Sequence, residues 1–183
     1  MFTNLTSLIP VLDAAAKYDM KGAVQSLCLQ LMKGSTGDTL MHENPLWVYS
    51  KAKQLDLTDV KRAAANATLA INLSGALCQP DVANVPASWI LELLTLRTEH
   101  IEWWKSRCLV STPIIEGIYR EPPCLCYQVY SVDVVLRIME RPCARSVREI
   151  DFNRILRCTR CSEGATAHYQ KICLLYENKF GKF

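Results

Sequence analysis

The sequence predicts a mainly α-helical protein, and three observations favour this class. Apolar residues recur at three- and four-residue spacing through most of residues 1–108. Capping residues and prolines stand where these segments begin. Half of the 183 residues are hydrophobic, which is enough for a packed core. The predicted architecture is a set of helical hairpins, then a long helix, then an irregular Cys-containing α region with at most a short hairpin.

Residues 1–75 are predicted to form four helices. The first begins at the cap Ser7, tolerates Pro10 in its first turn and ends near Tyr18. Asp19 is a suitable cap for the second helix. The apolar stripe of that second helix consists of Val24, Leu27, Cys28 and Leu31.

The second hairpin has clearer start signals. Asn44 followed by Pro45 is typical of a helix N-terminus, and Thr58 is predicted to cap the next helix, which runs to Gly75. The two hairpins are a weak internal echo of each other and not a repeat array.

The rest of the chain divides into a long helix and a less regular region. The long helix is expected over 88–107, with Trp89 and Trp104 in the core. Residues 109–136 are compatible with one or two short strands or with a helix that starts at Asp133. Further helices are expected over 147–156 and 162–178. We place the domain boundary after residue 78, which gives a segment 1–78 and a Cys-containing region 79–183.

Composition narrows the class of protein. The formal net charge of +3 is too small to indicate a nucleic-acid or membrane partner by itself. The longest uncharged run, 63–80, contains several polar residues, so no membrane-spanning helix is expected. The N-terminus does not resemble a secretory signal, and nine cysteines are an odd number, which favours reduced thiols. We therefore expect a cytoplasmic or nuclear protein.

Enzyme signatures are not found in the sequence. It contains no HExxH, no GxSxG, no phosphate-binding loop and no glycine-rich dinucleotide loop. Its three histidines are too scattered to indicate a catalytic pair. We expect a protein that is not an enzyme.

The C-terminal cysteines raise the question of a structural zinc ion. Cys158 and Cys161 have the CxxC spacing that holds two thiolates on one zinc, and Cys124 with Cys126 is the candidate second pair. The alternative, which we favour, is a set of ordinary reduced cysteines, several of them buried. Further candidate ligands in this region are Cys108, Cys143 and His168.

Arginines are concentrated in the same region. Together with the CxxC pair they are compatible with a nucleic-acid-binding module. A solvated face with local ion pairs is the interpretation we prefer, because no aromatic residues alternate with the arginines. The arginines are Arg137, Arg141, Arg145, Arg148, Arg154, Arg157 and Arg160.

The stretch VLDAAAKYDMKGAVQSL resembles the helical hairpin near the C-terminal end of a BTB/POZ domain. The stretch NPLWVYSKAKQLDLTDVKRAAANATL is similar to the helices that follow this hairpin in fungal BTB proteins. The resemblance covers residues 5–72. It implies an interaction module, either a truncated adaptor or a transcription-associated protein, with protein partners and self-association.

The resemblance also implies a missing part. The strands and helices that begin a BTB domain have no counterpart before Leu8, so the first hairpin is expected to expose an apolar face. The expected interaction surface consists of Leu12, Val24, Leu27 and Leu31.

Overall fold

The computed structural model describes residues 2, 4–32, 40–78, 85–108, 125–156 and 159–181. Ten α-helices occupy most of these ranges, and no strand occurs within them. The predicted mainly α fold is therefore confirmed. Among the described helices, none has the length and apolar character that crossing a membrane requires.

The chain forms two compact units. The first comprises Met1–Thr68 and Leu73–Leu93, and the second comprises Leu69–Asn72 and Leu94–Phe183. The predicted boundary after residue 78 stays a prediction, since these units are defined by spatial contact alone.

The first unit consists of two helical hairpins and a short connecting helix. Its described elements are α1 (Leu5–Lys17), α2 (Lys21–Met32), a 3-10 turn (Leu40–His42), α3 (Pro45–Gln54), α4 (Thr58–Ala67), α5 (Leu73–Leu77) and the start of α6 (Ala87–Cys108). Within each hairpin the two helices pack on each other, and α2 also packs on α4 and on the 3-10 turn.

The start of α1 differs from the prediction. The cap is Asn4, whose side-chain oxygen accepts hydrogen bonds from the backbone N–H and the hydroxyl of Ser7, at 2.9 and 2.8 Å. Because Asn is as good a cap as Ser, the helix begins at Leu5, and Pro10 lies inside it rather than in its first turn. In α3 the predicted start is confirmed, since Asn44 accepts from the N–H of Trp47 at 3.1 Å.

The turn between α1 and α2 closes with a residue in the left-handed region. Tyr18 caps α1, and Asp19 follows with φ of 52°. The N–H of Met20 donates to the carbonyl of Ala15 at 2.8 Å, which is the bond of a Schellman motif. Asp19 is thus the closing residue of α1 and not the predicted cap of α2, which begins at Lys21.

The turn between α3 and α4 repeats this geometry. Asp56 has φ of 54°, and the N–H of Leu57 donates to the carbonyl of Ala52 at 2.8 Å. Asp is one of the few residues other than Gly that adopt this conformation at low cost. The echo between the hairpins that the sequence indicates is therefore a shared turn geometry.

The helix that follows ends earlier than predicted. α4 stops at Ala67, and a 3-10 turn with a separate short helix replaces the predicted continuation to Gly75. The hydroxyl of Thr68 donates to the carbonyl of Ala65 at 2.6 Å, a local bond of the kind that competes with helix propagation.

The second unit is built around the part of α6 from Leu94 onward and the 22-residue helix α10. Its described helices are the remainder of α6, α7 (Leu125–Glu140), α8 (Ala144–Arg148), α9 (Phe152–Ile155) and α10 (Thr159–Phe180). The predicted helices over 88–107 and 162–178 are confirmed. The strand alternative is wrong for 125–136, which belong to α7, and residues 109–124 lie outside the described part.

The stretch 147–156, predicted as a single helix, contains parts of two helices, α8 and α9. Asp151 interrupts the stretch 147–156, because its carboxylate accepts from the N–H groups of Asn153 and Arg154 and so starts α9 anew. One face of α10 is buried, and its residues are Ala165, Tyr169, Ile172, Cys173 and Tyr176.

Trp104 is at the centre of this unit's core. It has no exposed surface, stacks on Tyr176 at 5.0 Å between ring centroids and meets Trp103 edge-on at 5.4 Å. Trp89, the other tryptophan predicted as core, is half-buried with the Lys53 ammonium 5.2 Å from its ring centroid. The prediction of a core residue is confirmed for Trp104, whereas Trp89 borders the surface.

We expect Trp104→Ala to lower the free energy of unfolding by about 3–5 kcal/mol, because it leaves a large cavity in a packed core. Trp89→Ala, the matched control, should cost less than half as much. Urea unfolding of the full chain measures both. Equal losses for the two variants would mean that Trp104 does not carry the packing described.

Candidate functional site

A groove between α2 and α4 is an open apolar concavity of the first unit. It encloses about 470 Å³, within the range of sites that take small ligands or anchoring side chains. The floor is Cys28 and Val60, which are 9% and 3% exposed, and burial raises the pKa of the Cys28 thiol. The floor is therefore apolar and uncharged at neutral pH. The apolar walls are Val24, Leu29, Met32 and Leu57.

The groove exists because α2 carries apolar residues on more than one side. Leu27 and Leu31 turn inward and are 6% and 0% exposed. Leu29 lies between them in sequence, points away from that face and is 47% exposed. α4, which begins at Thr58 after the left-handed turn, lines one side of the groove and leaves Leu29 exposed.

The end of the groove nearest the α3–α4 turn is acidic. Asp56 and Asp59 line it, and none of its described lining residues is basic. Asp59 contacts Arg62 at 3.3 Å, but these side chains are 79% and 76% exposed, so the pair is weak. The groove thus combines an apolar bed with negative charge at one end.

The residues expected to form an exposed interaction surface are mostly internal. Leu12, Leu27 and Leu31 are 1%, 6% and 0% exposed, so the prediction that they form an open face is wrong. The cover comes from within the first unit, because α1, α4 and the 3-10 turn all pack on α2. Val24 is half-buried and lines the groove, so it alone of the four borders an open surface.

The candidate zinc ligands are only partly described. Cys124 and Cys158 lie outside the described residues, and for Cys126 only the backbone, on α7, is described. Cys161 is 5% exposed on α10. Within the described ranges no cluster of three or more His, Cys, Asp or Glu side chains is arranged to hold a metal. The zinc site stays a prediction.

The further candidate ligands, Cys108, Cys143 and His168, lie in the second unit, as does Cys173. Burial raises the pKa of Cys108 to about 12 and that of Cys173 to about 11, so both remain thiols at neutral pH. Cys143 is buried at the start of α8. Burial lowers the pKa of His168, whose ring meets Tyr169 edge-on at 5.2 Å.

Sequence reasoning missed a buried polar chain in the second unit. Nδ1 of His100 lies 2.6 Å from the hydroxyl of Tyr176, which donates to the carbonyl of Pro142 at 2.8 Å. Since the hydroxyl has one proton and gives it to Pro142, Nδ1 of His100 must carry the proton of the first bond. The chain of bonds ties α6 to α10 and to the α7–α8 turn.

A buried guanidinium belongs to the same face of α6. Arg97 is 9% exposed and donates to the carbonyl of Ile71 at 3.3 Å. Its position relative to Leu93, His100 and Trp104 follows helical spacing, so the i, i+4, i+7, i+11 pattern was readable in the sequence. The signal was missed because Arg and His interrupt an otherwise apolar stripe.

The arginine-rich region is partly neutralised by ion pairs. Arg148 makes two bonds to Glu177, at 2.7 and 2.8 Å, and the hydrogen bonds of Glu177 raise the pKa of the guanidinium. Arg145 contacts Glu149 at 3.1 Å on the exposed surface. For these two arginines the preferred interpretation, a solvated face with local ion pairs, is confirmed.

Comparison with known proteins adds no relative. No family model matches the chain, and no curated protein or solved structure is significantly similar to it.

His100 makes the stability of the chain depend on pH. Burial, with a smaller effect from the Lys179 ammonium, lowers its pKa from 6.5 to about 4. A group whose pKa is lower in the folded state contributes stability above the unfolded pKa and loses it as the pH falls through the folded pKa. We expect up to about 3 kcal/mol to be lost between pH 6.5 and 4 from this residue.

The variant His100→Gln keeps a donor for Tyr176 but does not titrate, so its unfolding free energy should fall less steeply over that interval. Urea unfolding at several pH values measures the difference between the two proteins. Because both contain His168 and the same carboxylates, the contributions of these groups to the pH dependence cancel. Identical pH profiles for the two proteins would contradict the assignment.

Proposed function

We propose that this chain is a non-enzymatic protein–protein interaction module of BTB type that binds partners through the groove between α2 and α4. The observation that carries the proposal is the groove itself: an apolar bed formed by two helices, open to solvent and bordered by Leu29. Grooves of this kind take the apolar face of an amphipathic segment.

The BTB part of the proposal depends on the sequence pattern. The Lys17-Tyr18-Asp19-Met20 turn and the Pro45–Gln54 helix fall in the stretches that resemble the C-terminal helices of that family. The two hairpins with a common turn geometry are compatible with it. The resemblance suggests an adaptor or a transcription-associated protein of the cytoplasm or nucleus.

The buried ionisable groups support a role other than catalysis. General acid–base chemistry is most efficient when a pKa lies near the working pH. In the second unit, burial lowers the pKa of His100 to about 4 and raises the pKa of Cys173 to about 11. Both pKa values are therefore far from neutral pH. Their hydrogen bonds to Tyr176 and to the Ala144 carbonyl fit a structural role.

The alternative is a nucleic-acid-associated protein that uses the arginine-rich region. Exposed Arg137, Arg141 and Arg154 favour it, and none forms an ion pair with another described residue. The pairs of Arg145 and Arg148 with acidic side chains weigh against it, because paired guanidinium groups contribute less to phosphate binding.

Affinity capture with three immobilised forms of the full chain tests the proposal. Leu29→Glu places a charge at the edge of the groove, and Leu91→Glu is the matched control, since Leu91 is 62% exposed on α6 and does not line the groove. Proteins retained by the wild type and by Leu91→Glu should be lost with Leu29→Glu.

The wild-type chain is also mixed with random duplex DNA at increasing salt concentrations. A salt-dependent mobility shift, with no protein retained by the wild type, would replace the proposed function by the nucleic-acid alternative.

A further inference from the structure

The α2–α4 groove has an uneven distribution of charge that restricts what can occupy it. Its α2 side is mainly apolar, with Gln25 as the one polar lining residue of α2 among those described, whereas the part nearest the α3–α4 turn carries Asp56 and Asp59. Asp56 lies in the α3–α4 turn, two residues before α4 begins, and Asp59 lies in the first turn of α4. An apolar occupant therefore meets negative charge beside the α3–α4 turn.

The backbone position of Asp56 is fixed by the α3–α4 turn. Its left-handed conformation is part of the turn that the Leu57 N–H to Ala52 carbonyl bond closes. Asp56 is exposed and forms no ion pair with any described residue. A carboxylate on a fixed turn next to an apolar bed is a suitable partner for a Lys or Arg side chain.

We infer that the groove binds an amphipathic helical segment of a partner protein, with apolar side chains on one face and a Lys or Arg at the end that meets Asp56 and Asp59. This inference rests on the proposed function and adds the chemistry of the partner. The apolar side chains lie on Cys28 and Val60 and against Leu29, and the basic side chain lies at the acidic end. Such a segment binds through apolar side chains at three- and four-residue spacing along its helix.

The overall charge of the chain does not favour a basic partner segment. The formal net charge is +3, so a cationic segment is repelled by the protein as a whole. A preference for a basic over an acidic segment must then come from the acidic end of the groove. The preference should weaken as salt is added, because both carboxylates are exposed.

Two synthetic peptides of about fifteen residues test the inference. They share one leucine face at helical spacing, and the polar face is lysine in one and glutamate in the other. Fluorescence anisotropy with the full chain should give binding of the lysine peptide and binding at least tenfold weaker of the glutamate peptide.

Two variants locate the site. Leu29→Glu should weaken binding of the lysine peptide tenfold or more, while Leu91→Glu should leave it unchanged. The double variant Asp56→Asn/Asp59→Asn should weaken it about three- to tenfold. Asn also adopts the left-handed region, so that double variant keeps the turn, and circular dichroism checks the fold of each protein.

Equal binding of the two peptides, or lysine-peptide binding that is unaffected in either groove variant, would overturn the inference. Sedimentation velocity adds one more outcome: a dimer of the wild type that Leu29→Glu dissociates would mean that a second copy fills the groove. Failure of the proposed function is separate, because it would appear as no protein retained in affinity capture. Partner proteins that are lost with Leu29→Glu but retained by the Asp double variant would reject only the basic chemistry.

Discussion

Leu27 and Leu31 of α2 are buried in the first unit, where α2 packs on α1, on α4 and on the 3-10 turn, and the first unit depends on this packing. Burying two leucines contributes about 3–6 kcal/mol of transfer free energy, a large part of the stability of a small helical unit. α4 does not cover Leu29, which is 47% exposed. The same constraint that stabilises the hairpins thus leaves Leu29 and the groove beside it open to solvent.

The second unit differs from the first in that its core contains buried ionisable side chains. Arg97 and His100 lie on the face of α6 that also carries Trp104, and each is nearly or fully buried. Their bonds to the Ile71 carbonyl and to Tyr176 avoid the cost of leaving buried donors without partners. Because these bonds need particular partners on other elements, they favour one register of α6 against α10.

The helices with strong local signals could be predicted from the sequence. Asn44 with Pro45 starts α3, and helical periodicity alone identifies α6 and α10. Errors arose where two signals of similar strength compete. Asn4 and Ser7 are both good caps, and Thr68 offers a local hydrogen bond that ends α4 early.

The candidate site was much less predictable than the fold. Leu29 and Asp56 are far apart in sequence, and each looks like an ordinary surface or turn residue on its own. Only the packing of α2 on α4 brings them to one groove. The same packing buries Leu12, Leu27 and Leu31, whose apolar pattern identifies a covered face equally well as an exposed one.

Amide hydrogen exchange of the full chain in low concentrations of denaturant tests most directly the claim that α2 packs on α4 in a core shared by both hairpins. If the hairpins share one core, the amides of Leu27–Leu31 and those of Val60–Ala67 should lose protection together, with the same dependence on denaturant. Rapid exchange throughout α2 while α3 and α4 remain protected would contradict the account, because α2 would then lack the cover that forms the groove.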